Sequence, residues 1–100
     1  MIPDADDLYQ ATKEMNLKLY QEKEKLVSQF LTRHQISGFH DMDTVMKNLL
    51  QDVEWVKDKP FEKVENKLVE MGAVYGTVLL QNIGGEWAGL EDGFIRIKSP

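Results

Sequence analysis

The residues best placed by type and spacing for chemistry are His40-Asp41-x-Asp43, an imidazole and two carboxylates within four positions. Such a set suits a divalent metal, or the histidine–aspartate pair of a phosphohydrolase. A hydrolase of that kind needs further histidines and a distant aspartate, and the only other histidine is His34. The aspartates also stand just ahead of an apolar-periodic run, where a carboxylate caps a helix N-terminus, so capping is their expected role. Glu62, Glu65, Glu70, Glu86, Glu91 and Asp92 include possible acid–base pairs. Carboxylates scattered over helices and turns are generally solvated, and nothing in this spacing sets two of them across a cleft. Asn82-Ile83-Gly84-Gly85 ends a helical pattern, whereas phosphate and dinucleotide loops begin one. With no cysteine, neither disulfides, thiolate metal sites nor a thiol nucleophile are available. No catalytic residue, metal or cofactor is expected.

The elements that position these residues begin with a long first helix. Pro3 suits a first-turn position, and Asp4, Asp6 and Asp7 suit the positive end of a helix dipole. Leu8, Met15, Leu19, Leu26 and Phe30 form an apolar stripe, with Arg33 and His34 in the closing turns before Gly38, which predicts a helix over 4–36. At 1.5 Å per residue it would be roughly 48 Å long, against a radius of gyration near 13 Å for a compact chain of this size. Either it bends at the polar run Gln21-Glu22-Lys23-Glu24-Lys25 or it finds a partner. The expected partner is a second copy, in a two-fold dimer through Leu19, Leu26, Val27 and Phe30.

A second helix over 43–58 follows, with Asp41 or Asp43 as its N-cap, Phe39 as a staple and Val45, Met46, Leu49, Val53 and Val56 as its buried stripe. Trp55 falls off that stripe, at the edge of the core or facing a partner. A third helix over 60–83 starts at Pro60 and buries Val64, Leu68, Met71, Tyr75, Val78 and Leu79. Gly72 and Gly76 cost roughly 1 kcal/mol each inside a helix relative to alanine, which points to close approach by another element. Gly84-Gly85 stops the helix. Trp87–Leu90 and Phe94–Ile97 flank Glu91-Asp92-Gly93 as a hairpin that must lay Trp87 and one strand face on the helices, since two strands alone are marginal. The five methionines at 1, 15, 42, 46 and 71 fall at helical spacing, as core filler does, although such side chains also soften binding grooves.

The run Gly72-x-x-Tyr75-Gly76, Asn82-x-Gly84-Gly85-x-Trp87, a turn and a short strand resembles a helix–hairpin element of uncharacterised small bacterial proteins, some of them suspected immunity proteins against toxins. The resemblance spans residues 68–98, about a third of the chain, and implies a shape and a bacterial source. It carries no functional residue.

The expected fold is therefore α+β, a single domain over 1–100 in which three mainly antiparallel helices are closed by a C-terminal two-stranded β-hairpin. The formal charge is −5, and 12 Lys and Arg are scattered among 17 acids without a basic stripe, which excludes the clustered cations that nucleic acid requires. No apolar run is long enough to span a membrane, and the first residues lack the pattern of a secretory signal, so the cytoplasm is the expected compartment. What remains is a protein-interaction module whose expected partner is a basic protein, because complementary charge speeds association. Trp55, Tyr75, Asn82 and Trp87 are the candidate contact residues. The competing expectation is a small-ligand site between the third helix and the hairpin, with Trp87 and Tyr75 as walls and Asn82 as a polar contact.

Overall fold

The computed structural model describes residues 5–100, and side chains from Tyr9 onward. The expected start signal at Pro3 and Asp4, and the side chains of Asp6, Asp7 and Leu8, lie outside the described residues. Three helices, α1 (Ala5–Arg33), α2 (Met42–Val56) and α3 (Phe61–Ile83), precede two antiparallel strands, β1 (Glu86–Glu91) and β2 (Phe94–Lys98). The fold is α+β, and helix accounts for most of the chain.

The first helix is continuous through Gln21–Lys25 and sets the 42 Å long dimension of a slab 33 Å wide and 19 Å thick. It stops before Gly38 because Gln35 takes a left-handed φ of 55° and the Ile36 N–H reaches back to the Leu31 carbonyl at 2.9 Å. That six-to-one bond closes the helix without glycine, and Ile36 is buried behind it. No bend interrupts the helix. Its C-terminal half lies on α3, with Leu26 in a cluster with Val69 and Ala73, and Phe30 in one with Val74 and Val78. Its N-terminal half carries the hairpin, where Asn16 donates to the Gly93 carbonyl at 2.8 Å and the Tyr9 ring meets Phe94. Of the seam expected on α1, Phe30 is fully enclosed and Leu26 is 8% exposed within their own chain, while Leu19 and Val27 are half-buried.

Contacts from α1 to α3 are not in simple register, since Leu26 and Phe30 reach as far as Ala73 and Val78 while Arg33, beyond them, turns back to Glu70. Lys18 bonds Asn66 while its neighbour Leu19 stands against Gly72, so the two helices cross. Between α2 and α3 the numbering runs in opposite directions. Asp52 meets Lys67, whereas Val45 and Leu49 share a core with Val74 and Val78, so this pair is antiparallel.

Both of these helices are turned relative to the expected stripes. On α2 the buried residues are Val45, Leu49 and Asp52, and Val53 is exposed. On α3 they include Val69, Ala73, Val74, Val78 and Leu80, while Tyr75 and Leu79 are exposed. The cause on α3 is that α1 and α2 cover it from two sides, drawing the buried arc away from Tyr75. The glycines of α3 accept close neighbours as expected. A Cβ on Gly72 would stand 2.7 Å from Leu19 Cδ1, and one on Gly76 would meet the Trp87 ring edge.

The hairpin closes through Asp92 (φ 53°) and Gly93 (φ 82°), two positive-φ residues that make the turn whose twist matches its strands. Trp87 pairs with Ile97 and Leu90 with Ile95. Ile95 and Ile97 share a face, so Trp87 and Leu90 do too, although they are three residues apart. The register shift between Trp87 and Gly89 permits this by placing one extra residue in β1.

Candidate functional site

The four contact residues expected from sequence fall in three separate places. Trp55 is half exposed at the end of α2, where the Lys59 ammonium lies 4.0 Å from its ring and donates to its carbonyl. Tyr75 is 55% exposed on the outer side of α3. Asn82 is exposed and its amide donates to the Val78 carbonyl of its own helix at 3.0 Å. Trp87 is half buried between Gly76 and the Lys23 side of α1. A cleft of about 350 Å³ does lie between α3 and the hairpin, with Trp87, Thr77, Gln81 and Glu86 in its lining. Tyr75 and Asn82 do not line it.

The His40-Asp41-x-Asp43 set is taken up locally. Asp41 caps α2, accepting from the Thr44 N–H at 3.4 Å and from its hydroxyl at 2.7 Å, and His40 pairs with the Ser37 hydroxyl at 3.1 Å. Among the described residues no three His, Asp or Glu side chains gather as a metal cluster.

Where the three helices meet, two buried carboxylates are paired with cations that remain partly exposed. Arg33 grips Glu70 through both guanidinium nitrogens, one of them at 3.1 Å, and Lys67 stands 3.1 Å from Asp52. Asp52 and Glu70 are 6% and 7% exposed, so Glu70 is not the solvated helix carboxylate expected from sequence. Hydrogen bonding to Glu70 raises the Arg33 guanidinium above its ordinary value, partly offset by burial. His34 Nε2 faces Asp52 Oδ2 at 3.9 Å, too far for a hydrogen bond. The signal for Asp52 was present: positions 45, 49, 52 and 56 are helically spaced, but the apolar set containing Val53 fits nearly as well.

A second arrangement emerges from the rotation of α2 and α3. On α2, Met46 and Leu50 each follow a buried residue by one position, as Tyr75 and Leu79 do on α3. One position turns a side chain about 100° around a helix, and in an antiparallel pair that turn carries both sets to the same side. The outer side of the pair, away from α1, therefore presents Met46, Leu50 and Val53 beside Leu68, Met71, Tyr75 and Leu79. Leu50 is 59% exposed, and Val53 and Leu79 also remain open. A concavity of about 440 Å³ runs along Met46 and Leu50 on α2 alone, edged by Asp43, Lys47, Gln51 and Glu54, with no α3 residue in its lining. Met46, Leu68 and Met71 are half-buried there, and Met46 and Met71 also pack against the core.

No helix among the described residues is long and apolar enough to cross a membrane. Comparison with protein-family models, curated proteins and solved structures found no match to this chain.

Proposed function

We propose that this chain is a protein-interaction module, of the immunity or regulatory type, that binds through the outer face of α2 and α3. The observation that carries this reading is the apolar face shared by two antiparallel helices, because contiguous exposed apolar patches beyond a few hundred Å² mark contact surfaces. Leu50 and Tyr75 are its most exposed large side chains. The charge of −5 favours a protein partner with basic surroundings, chiefly by speeding encounter. Cytoplasmic action and the absence of catalysis belong to the same proposal.

Capture from the native cell on the immobilised chain, read by mass spectrometry, tests it. The expected result is a specific protein retained by the parent, lost with Leu50→Asp and weakened by added salt. Retention by Leu50→Asp equal to the parent rejects the outer face as the contact surface. The second reading, a small-ligand site, is supported by the cleft beside Trp87, whose volume of about 350 Å³ lies within the range of ligand pockets. A metabolite screen by thermal shift checks it, with Gln81→Ala and Glu86→Ala expected to abolish any hit that belongs to this cleft.

A further inference from the structure

We infer that the cleft between α3 and the hairpin takes a small organic cation, an ammonium compound, held by the Glu86 carboxylate, the C-terminal end of α3 and the indole of Trp87. The inference rests on the reading of that cleft as a ligand site, and adds the charge and chemical class of what enters it.

Charge is the first selector. Among the described residues, Glu86 is the one charged side chain in the lining. The end of α3 adds to its negative potential. The Gly84 and Gly85 N–H groups both turn back to the Leu80 carbonyl, and among the described residues no backbone N–H beyond the helix reaches the carbonyls of Gln81, Asn82 or Ile83. Such end carbonyls form the negative pole of a helix dipole, and the last turn of α3 holds no basic residue to balance it. Gln81, Gly84 and Gly85 line the cleft, so this pole borders it. A carboxylate just past a helix C-terminus is disfavoured by the dipole, and a cation seated between the two relieves both.

The chain's own cations do not fill this place. Lys98 stands 4.0 Å from Glu86, with both side chains 71% exposed, and it lies outside the cleft lining. A pair so long and open contributes little, so an ammonium ligand can replace it. The Lys23 ammonium comes within 5.9 Å of the Trp87 ring, but it is held by Tyr20, 4.0 Å from that ring and 2.9 Å from its carbonyl. It borders a separate crevice of about 180 Å³.

The aromatic wall selects in the same direction. Ammonium groups are attracted to the face of an aromatic ring within about 6 Å, and most strongly to indole. Trp87 is half buried with its ring edge against Gly76, so the wall is in place before a ligand arrives. A volume of about 350 Å³ lies at the small end of the range for ligand sites and suits an ion of few heavy atoms.

Titration calorimetry of the whole chain with choline, n-butylammonium and 3,3-dimethyl-1-butanol, the uncharged isostere of choline, tests the inference. Both cations should bind and weaken with added salt, and the isostere should bind about tenfold more weakly than choline or not at all. Glu86→Gln should weaken both cations by about three- to fivefold, and Glu86→Lys should abolish their binding. Glu91→Gln is the control, because it removes the same charge from the far end of β1, where Glu91 is 63% exposed. It should leave binding unchanged, and all three variants should keep the parent's circular dichroism. Choline ahead of n-butylammonium marks a free quaternary amine as the natural ligand, and the reverse order a primary amine of the lysine type; either order supports the ammonium class. No binding of either cation at tens of millimolar overturns the inference, as does an isostere that matches choline or equal weakening by Glu86→Gln and Glu91→Gln. If the cations fail but a neutral or anionic metabolite binds the parent and is lost with Gln81→Ala, the cleft stands as a ligand site and its cation class falls. Silence from every metabolite as well removes both readings.

Discussion

Trp87→Ala should lower the denaturant midpoint of the chain sharply, by about 2–4 kcal/mol of stability, while Trp55→Ala should change it by less than about 1 kcal/mol. The two tryptophans differ in what lies beneath them. The Trp87 ring edge rests on Gly76 of α3, and the ring also borders a crevice lined by Lys23, Val27 and Thr77, so one side chain ties β1 to two helices. It is half buried, which places the expected loss below that of a fully enclosed tryptophan. Its removal also strips the close approach that offsets the glycine inside α3. Trp55 is 50% exposed and keeps company mainly with lysine ammonium groups, which water can replace. Equal stability of Trp87→Ala and parent would show that the hairpin is held by its turn instead, through Asn16 and the carbonyl of Gly93.

Gly76→Val gives an independent check of that packing. Added carbon at this position would meet Trp87 Cζ2 at 3.1 Å or less, so the indole must move away. The expected outcome is a destabilisation of about 1–3 kcal/mol with a changed tryptophan emission spectrum, because overpacking displaces the ring. An unchanged spectrum would place the indole elsewhere.

The parts of this fold that were legible in sequence are those specified by local chemistry. Asp41 ahead of α2, Gly84 after α3 and Asp92-Gly93 between the strands each perform a backbone task that few residues can perform. The closure of α1 at Gln35 was not legible, since a non-glycine residue adopts positive φ there and the burial of Ile36 holds it. The rotations of α2 and α3 were hidden for a different reason. Each helix carries more apolar residues than one neighbour can cover, so several stripes fit the same periodicity, and only the crossing by α1 selects between them. That surplus is what leaves Leu50, Val53, Tyr75 and Leu79 outside, so the feature that obscured the core is also the feature that makes the candidate surface. Tyr75, expected on the buried stripe, is 55% exposed, and Leu50 had no signal apart from being the apolar residue next to Leu49.

The junction of charges among the three helices was the other feature missed, and it leads to an asymmetric expectation: Arg33→Met should cost about 2–3 kcal/mol, and Glu70→Met about 1 kcal/mol or less. The guanidinium side chain is 43% exposed whereas the Glu70 side chain is 9% exposed. Deleting the carboxylate leaves a cation that can turn toward water or toward Asp52, whose Oδ2 lies 3.9 Å away. Deleting the arginine strands a carboxylate that has no such exit, and Lys67 is already engaged with Asp52. Breaking a fully buried pair costs about 3–5 kcal/mol, and the half-exposed guanidinium places this one lower. Alkaline titration does not isolate the contribution. The folded-state guanidinium is raised above its ordinary value, so its stabilisation is fully present below that value and fades only at still higher pH, beyond the range in which the fold can be measured. A double-mutant cycle does isolate it. Denaturant unfolding of Arg33→Met, Glu70→Met and the double variant should show the double close to Glu70→Met alone, because the stranded carboxylate is gone. If Arg33→Met matches the parent, or if the two single losses simply add, the pair does not bind the helices together and their junction is held by Phe30, Val45 and Val74.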